Sequence, residues 1–268
     1  MTKTILITGA TDGIGLETAK MMAPLGHTLL LHGRSADNLA DAAGKVSAID
    51  GGGTVKTYQA DLTDLSQVKD MAERVKNDFH SLDVLINNAG VFNMHDPITQ
   101  DGYDARFIVN VVAPYLLSKD LLPSLGPEAR VVNLSSAAQA PVNLQAFLNK
   151  QTFGDGEAYA QSKLALTMWS IGMADALGSD GPMIVAVNPA SFLGSKMVKE
   201  AYGRAGHDLK IGADILTRAA LSDEFADASG RYYDNDRKSF AQPHPDALNA
   251  AANQSVIEAI ETLLVKGK

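Results

Sequence analysis

The chain has 268 residues, 46% of them apolar and 20% charged, which is ordinary usage for a folded globular chain able to bury a sizeable core. Its net charge is −8, from 23 basic and 31 acidic residues, and this balance argues against nucleic acid as the main partner. Cysteine is absent, which excludes disulfides, thiolate nucleophiles and cysteine-ligated zinc.

Strand-like and helical patterns alternate along most of the chain. Thr4 to Thr8 is a short apolar run, too brief for a signal peptide. Nowhere does the sequence approach the roughly 18 consecutive apolar residues of a membrane helix. A small-molecule partner, no membrane attachment and a cytoplasmic setting are therefore expected. After the first run, Thr8-Gly9-Ala10-Thr11-Asp12-Gly13-Ile14-Gly15 opens a helical pattern over Gly15 to Ala23. Glycines between a strand and a helix permit a tight turn and let backbone approach a pyrophosphate, while the helix N-terminus supplies N–H groups and a favourable dipole.

The second strand, Thr28 to His32, leads into Gly33-Arg34-Ser35. Dinucleotide folds that hold free ribose hydroxyls place an acid near this point. Arg34 stands there instead, suited to a 2′-phosphate through charge-assisted hydrogen bonds. A helix over Asn38 to Ser47 and a strand over Val55 to Gln59 follow. That strand runs into Asp61-Leu62, where Asp61 could accept from an adenine amino group. Next come a helix over Leu65 to Asp78 and a strand over Val84 to Asn87, ending in Asn87-Asn88-Ala89-Gly90. The small residues there let backbone pass close to a ligand, and Asn87 is expected to tie sheet to helix.

The pattern over Tyr103 to Leu122 reads as one helix with Pro114 in its middle. Proline has no N–H for the carbonyl four residues earlier, that of Asn110, so a kink is expected there. Strands over Arg130 to Leu134 and Ile184 to Asn188 flank a helix over Ala158 to Leu177. That helix begins with Tyr159-Ala160-Gln161-Ser162-Lys163, whose first and last residues share a face. An ammonium beside a tyrosine favours the phenolate, a tuning suited to acid–base work near neutral pH. Pro189 to Gly212 is irregular; Ile211 to Leu221 and Leu248 to Leu264 read as helices, with a possible strand at Arg231 to Tyr233. The strands are continuous apolar runs rather than alternating ones, which fits a parallel sheet buried on both faces. The expected architecture is a single α/β domain, a Rossmann fold with a doubly wound parallel sheet. Asp234-Asn235-Asp236 lacks the glycine and distal glutamate of a calcium loop, and the histidines show no metal-ligand spacing.

Taken together, Thr8-Gly9-x3-Gly13-x-Gly15, Asp61-Leu62, Asn87 to Gly90, Asn110, Asn133-Leu134-Ser135-Ser136, Tyr159-x3-Lys163 and Asn188-Pro189 resemble the short-chain dehydrogenase/reductase family over nearly the full chain. The resemblance implies an NADP(H)-dependent oxidoreductase moving hydride between nicotinamide and a carbonyl or alcohol. It implies that Tyr159 is the proton donor or acceptor, that Ser136 holds the substrate oxygen, that Lys163 holds the nicotinamide ribose, and that Asn110 positions a relay water. Cofactor contacts are implied from Gly9, Thr11, Asp12, Gly13, Ile14, Gly15, Arg34, Ser35, Asn38, Asp61, Leu62, Asn88, Ala89, Gly90, Tyr159, Lys163, Pro189 and Ser191, with Ser195 offset from the family's usual threonine. The chain departs from the family's pattern in three places. Pro189 is followed by Ala190 rather than glycine. Asp12 stands where some NADP-dependent relatives carry a basic residue. Pro141 to Glu157 is an insertion, similar to retinol-dehydrogenase-like and carbonyl-reductase-like members. That insertion, together with 190–212, is expected to carry substrate choice, and it makes a monomer or homodimer the expected assembly rather than a tetramer. A different reading is a redox-sensing protein that binds NADP(H) without turnover; the intact Ser136, Tyr159 and Lys163 weigh against it.

Overall fold

The computed structural model describes residues 2–51, 53–194, 203 and 206–266. The candidate Ser195 lies outside them. In chain order the elements are β1 (Thr4–Ile7), α1 (Gly13–Met22), β2 (Thr28–Gly33), α2 (Ala36–Ser47), β3 (Val55–Gln59), α3 (Leu65–Asp78), β4 (Val84–Asn87), α4 (Ala105–Phe107), α5 (Ala113–Leu121), β5 (Arg130–Leu134), α6 (Leu144–Leu148), α7 (Asp155–Leu177), β6 (Met183–Asn188), α8 (Leu209–Leu221), β7 (Arg231–Asp234), β8 (Ser239–Ala241) and α9 (Ala250–Lys266). The sheet order is β3-β2-β1-β4-β5-β6-β7-β8. Every neighbouring pair is parallel except β7 with β8, which pairs antiparallel through Tyr232↔Ala241. The expected doubly wound sheet is therefore present, with β8 added at one edge.

Continuous apolar strands arise because both faces are covered. Alternate residues of one strand enter different cores: Leu6, Leu85 and Val131 pack with α3, α5, α7 and α9, while Ile5, Ile7, Ile86 and Val132 pack with α1, α2 and α8. Each such side chain contributes about 1.5–3 kcal/mol on burial. Asn87, Ser118, Asn133 and Ser170 form a polar ladder inside the first layer. Asn87 Nδ2 donates to Ser118 Oγ (3.1 Å) and Asn133 Oδ1 (2.7 Å), and Asn133 Nδ2 donates to Ser170 Oγ (2.8 Å). Asn87 thus ties β4 to α5, as expected, and Asn133 ties β5 to α7.

The single helix expected over Tyr103 to Leu122 is interrupted. Residues Ile108–Val112 form a π turn between α4 and α5, and the Ala113 N–H reaches back five residues to the Ile108 carbonyl. A widened turn just before Pro114 accommodates its missing donor, so the register breaks where the sequence requires. The expected insertion is also structured. It holds α6, buries Ala146 and Phe147, and stacks Phe147 (5.1 Å) and Phe153 (5.7 Å) against Phe107. Among the described residues no helix is long and apolar enough to cross a membrane.

Candidate active site

The C-terminal ends of β1 to β6 open onto a groove of about 580 Å³, within the usual range of roughly 300–1,000 Å³ for ligand sites. Its wall brings together Gly9, Thr11, Asp12, Gly13 and Ile14 with Arg34, Asp61, Leu62, Asn88, Ala89, Gly90, Tyr159, Lys163 and Pro189. The turn after β1 is held from β4: Asn88 Nδ2 donates to the carbonyls of Thr8 (2.8 Å) and Gly9 (3.0 Å), and Thr8 Oγ accepts the Asn88 and Ala89 N–H groups. A Cβ on Gly15 would lie 2.3 Å from the Gly9 carbonyl oxygen and 2.5 Å from Asn88 Nδ2, so only glycine lets the first turn of α1 approach. Gly15 therefore shapes the groove from behind rather than lining it. Asp12, the N-cap residue of α1, makes no side-chain cap bond, which leaves that helix end open to a ligand.

At the end of β2, a Cβ on Gly33 would meet Thr11 at 2.4 Å, so the glycine turn packs directly on this strand. Arg34 is exposed at the groove, and no described carboxylate pairs with it. Ser35 and Asn38 are absent from the wall: Ser35 Oγ accepts the Asn38 N–H (3.4 Å) and caps α2. Asp61 lines the groove, and its carboxylate is turned onto the Thr63 N–H and hydroxyl.

Half-buried Tyr159 and buried Lys163 lie one turn apart near the start of α7. Lys163 Nζ donates to the Leu134 carbonyl (2.7 Å) and lies 5.6 Å from the Tyr159 ring centroid, while Phe92 meets that ring edge-on at 4.8 Å. Burial lowers the Lys163 ammonium from 10.5 to about 8. Asn110, in the π turn, is buried. Its Oδ1 accepts the Val91 N–H (2.8 Å), and its Nδ2 donates to the Val91 carbonyl (3.0 Å) and Ser162 Oγ (3.0 Å). A Cβ on Gly90 would stand 3.4 Å from both Asn110 Oδ1 and Lys163 Nζ, which places the two side chains around one backbone position. Ser135 Oγ is committed inward, to Thr167 Oγ (2.7 Å) and the Lys163 carbonyl (3.4 Å). Ser136 is half-buried beside it and accepts the Ala138 N–H (3.1 Å), so its own O–H is left to donate. The groove wall includes Ser135 and not Ser136. Ser191 also stands off the wall, bound to Asp236.

Residues 3–204 match the short chain dehydrogenase family. The chain belongs to that family of oxidoreductases. Retinol dehydrogenase 13 of Homo sapiens is 29% identical over 91% of this chain and 79% of its own length. An uncharacterized protein from Mycobacterium Paratuberculosis superposes with a TM-score of 0.80 at 26% identity, covering 97% of this chain and 92% of the other. A short chain dehydrogenase from Burkholderia cenocepacia, solved in complex with NADP, gives 0.67 at 27% identity, covering 87% and 95%. These relatives place the chain with the retinol-dehydrogenase-like branch, one of the two that its insertion implied.

The dehydrogenase groove has a further member that sequence reasoning passed over. His32, buried at the end of β2, accepts the Gly9 N–H on Nδ1 (3.1 Å), which leaves Nε2–H to donate to the Ala60 carbonyl (3.1 Å). Burial holds its pKa down at about 4, so it stays neutral and joins three strand ends that frame the groove. The available signal was its position, one residue before the glycine and arginine already singled out. Val91, Phe92 and Met94, also unassigned from sequence, form an apolar flank next to Tyr159.

Proposed function

We propose that this chain is an NADP(H)-dependent oxidoreductase acting on the carbonyl or alcohol group of an apolar small molecule. The observation that carries the reading is the convergence of the glycine turn, Arg34 and the Tyr159–Lys163 pair in one groove. The fit to a dinucleotide rests on the close approach that Gly15 and Gly33 permit and on the uncapped start of α1. Gly9, Gly13 and Ile14 would hold the pyrophosphate, Arg34 the 2′-phosphate, Asp61 and Leu62 the adenine, and Lys163 and Pro189 the nicotinamide end. The NADP complex of the Burkholderia cenocepacia relative supports the choice of cofactor.

When bound, the cofactor supplies a hydride to a substrate carbon or accepts one from it. In the reductive direction the Tyr159 hydroxyl gives its proton to the carbonyl oxygen; in the oxidative direction the phenolate takes the proton from the alcohol. Lys163, buried yet still mostly charged near neutral pH, stabilises the phenolate between turnovers. The Ser136 hydroxyl donates to the substrate oxygen as negative charge develops there. Asn110 fixes Val91 and Ser162, and with them the spacing between the apolar flank and the start of α7. Val91, Phe92 and Met94 suit an apolar substrate, in keeping with a relative named for retinol. A cytoplasmic monomer or homodimer is the setting we infer.

The test is NADPH absorbance against a panel of apolar aldehydes and ketones, together with Tyr159→Phe. That variant should lose turnover by at least a hundredfold, the usual worth of a general acid or base. It should still bind NADPH by fluorescence. Near-normal turnover in the variant would remove Tyr159 from the reaction.

A further inference from the structure

The turn between β7 and β8, Asp234-Asn235-Asp236, grips the segment that follows β6. Asn235 is buried. Its N–H donates to the Asn188 carbonyl (3.1 Å), and its Nδ2 donates to the Pro189 carbonyl (2.9 Å). Asp236 is exposed and accepts three bonds: from the Ser191 N–H (2.9 Å), the Ser191 hydroxyl (2.7 Å) and Asn188 Nδ2 (3.0 Å). Asp234 Oδ1 in turn accepts from Asn188 Nδ2 (2.9 Å) and from the Asp236 N–H (3.1 Å), which fixes the turn itself. Between the two gripped residues lies Ala190, at φ 116°, a conformation that a side chain rarely adopts. Phe192 just beyond it is also left-handed, at φ 53°. The chain pays for two unfavourable residues in three, without the glycine that would relieve the first.

A conformation of this kind persists only where its surroundings over-determine it. Here the surroundings are specific: one hydrogen bond to the peptide before Ala190, and two to the residue after it. We propose that Asn235 and Asp236 are positioning residues that bracket Ala190 in its strained conformation and thereby fix Pro189 in the wall of the groove. The bracket also sets what lies one step farther on. Gly194 N–H donates to the His207 carbonyl (2.7 Å) and His207 N–H to the Phe192 carbonyl (2.7 Å), so the stretches on either side of residues 195–205 are joined next to it. The geometry of the rim is in this way dictated from the far edge of the sheet, by residues that do not line the groove.

The bracket rests on hydrogen bonds and backbone angles; only its consequence for cofactor rests on the dinucleotide reading. The experiment is a double-mutant cycle, with Asn235→Ala and Asp236→Ala each made in the native chain and in an Ala190→Gly background. Glycine accepts the positive φ without strain, so it should lower the need for a bracket. Two quantities are read: amide exchange at Gly194 and His207 in cofactor-free protein, whose own partners the substitutions leave in place, and NADPH affinity by fluorescence. Loss of hydrogen bonds of this kind should speed exchange at both amides by about tenfold and weaken NADPH by a similar factor, with Ala190→Gly returning roughly threefold of each. Should Asn235→Ala fail to fold, Ser191→Ala removes one bond to Asp236 and is read in the same way, with a smaller effect of about threefold. Unchanged exchange at Gly194 and His207, or equal losses in both backgrounds, overturns the bracket. If exchange responds as expected while native protein binds no NADPH, the bracket stands and the dinucleotide reading falls.

Discussion

Replacing Lys163 by methionine isolates the cost of a buried charge at the centre of the groove. Lys163 is 4% exposed, its Nζ donates to the Leu134 carbonyl, and burial accounts for its drop from 10.5 to about 8. That drop corresponds to roughly 3 kcal/mol spent on keeping the charge in the folded protein at neutral pH. Methionine is of similar length and carries no charge, but it leaves the Leu134 carbonyl unpaired, at about 1–3 kcal/mol. The two effects nearly cancel at pH 7, so a single stability measurement decides nothing. Their pH dependence differs. The folded protein releases the Lys163 proton near pH 8, and the unfolded chain holds it until about 10.5. Between those values the unfolded state binds more protons, so the native sequence gains stability as pH rises, and the variant has no such term. Urea unfolding of both proteins at pH 7.5 and 9.5 should show the difference moving in favour of the native sequence by roughly 2 kcal/mol. Parallel pH profiles would refute a desolvated ammonium at this position.

Two further substitutions probe the other end of the groove. Arg34→Ala removes a charged hydrogen bond worth about 1.5–3 kcal/mol, so NADPH affinity should fall roughly ten- to a hundredfold while NADH affinity barely changes; equal losses in titrations of the two cofactors would take the 2′-phosphate away from Arg34. Gly15→Ala places a Cβ 2.3 Å from the Gly9 carbonyl, and overpacking of this kind costs about 1–3 kcal/mol. NADPH fluorescence titration should then show little or no binding, with a lower Tm, and intact affinity would show that the turn is not shaped by Gly15.

The regular part of the fold was legible because the central strands β1, β4, β5 and β6 are buried on both faces and helices such as α2 and α3 on one. The strands Val55–Gln59, Val84–Asn87 and Arg130–Leu134 and the helix Leu65–Asp78 lie where hydrophobic runs and period place them. The glycine turn, Arg34, Tyr159 and Lys163, picked out by residue type and spacing, do meet in one groove. What escaped depends on contacts distant in sequence. β8 is three residues long and exists because Phe240 packs on Tyr233 (5.1 Å) and Phe225 (5.2 Å), neither of which a local pattern reveals. His32 reads as an apolar-strand histidine until the turn at Gly9 and the end of β3 are brought to it. Asp234-Asn235-Asp236 fails every ligand-loop pattern because its partners are backbone and side-chain groups of Asn188, Pro189 and Ser191, some 45 residues earlier in the chain. Pro114 marked the break in the helix, but the π turn that absorbs it lies N-terminal to the proline, where no residue type announces it.

The insertion bears on the helix that carries Tyr159 through the same logic of distant contacts. Arg106 is fully buried in α4, with two nitrogens on the Asp104 carboxylate, a third on Asp155 and a bond to the Phe153 carbonyl (3.3 Å). Asp155 opens α7 one turn before Tyr159, and Arg106 stands four residues before Asn110. Two rungs therefore join the same pair of helices: Arg106 to Asp155 at the outer level, and Asn110 to Ser162, whose hydroxyl donates to the Tyr159 carbonyl (2.7 Å), at the inner one. Both rungs hold the start of α7 against the segment around the π turn, in addition to the core packing of the rest of α7. A buried guanidinium costs several kcal/mol in desolvation, which the paired carboxylates offset only when their geometry is held, so the outer rung is weak evidence for stability. What it contributes is a contact between α4 and the start of α7, one turn before Tyr159. The insertion supplies that rung through Phe153 and Asp155, so the segment expected to carry substrate choice also contacts the start of the helix bearing Tyr159 and Lys163.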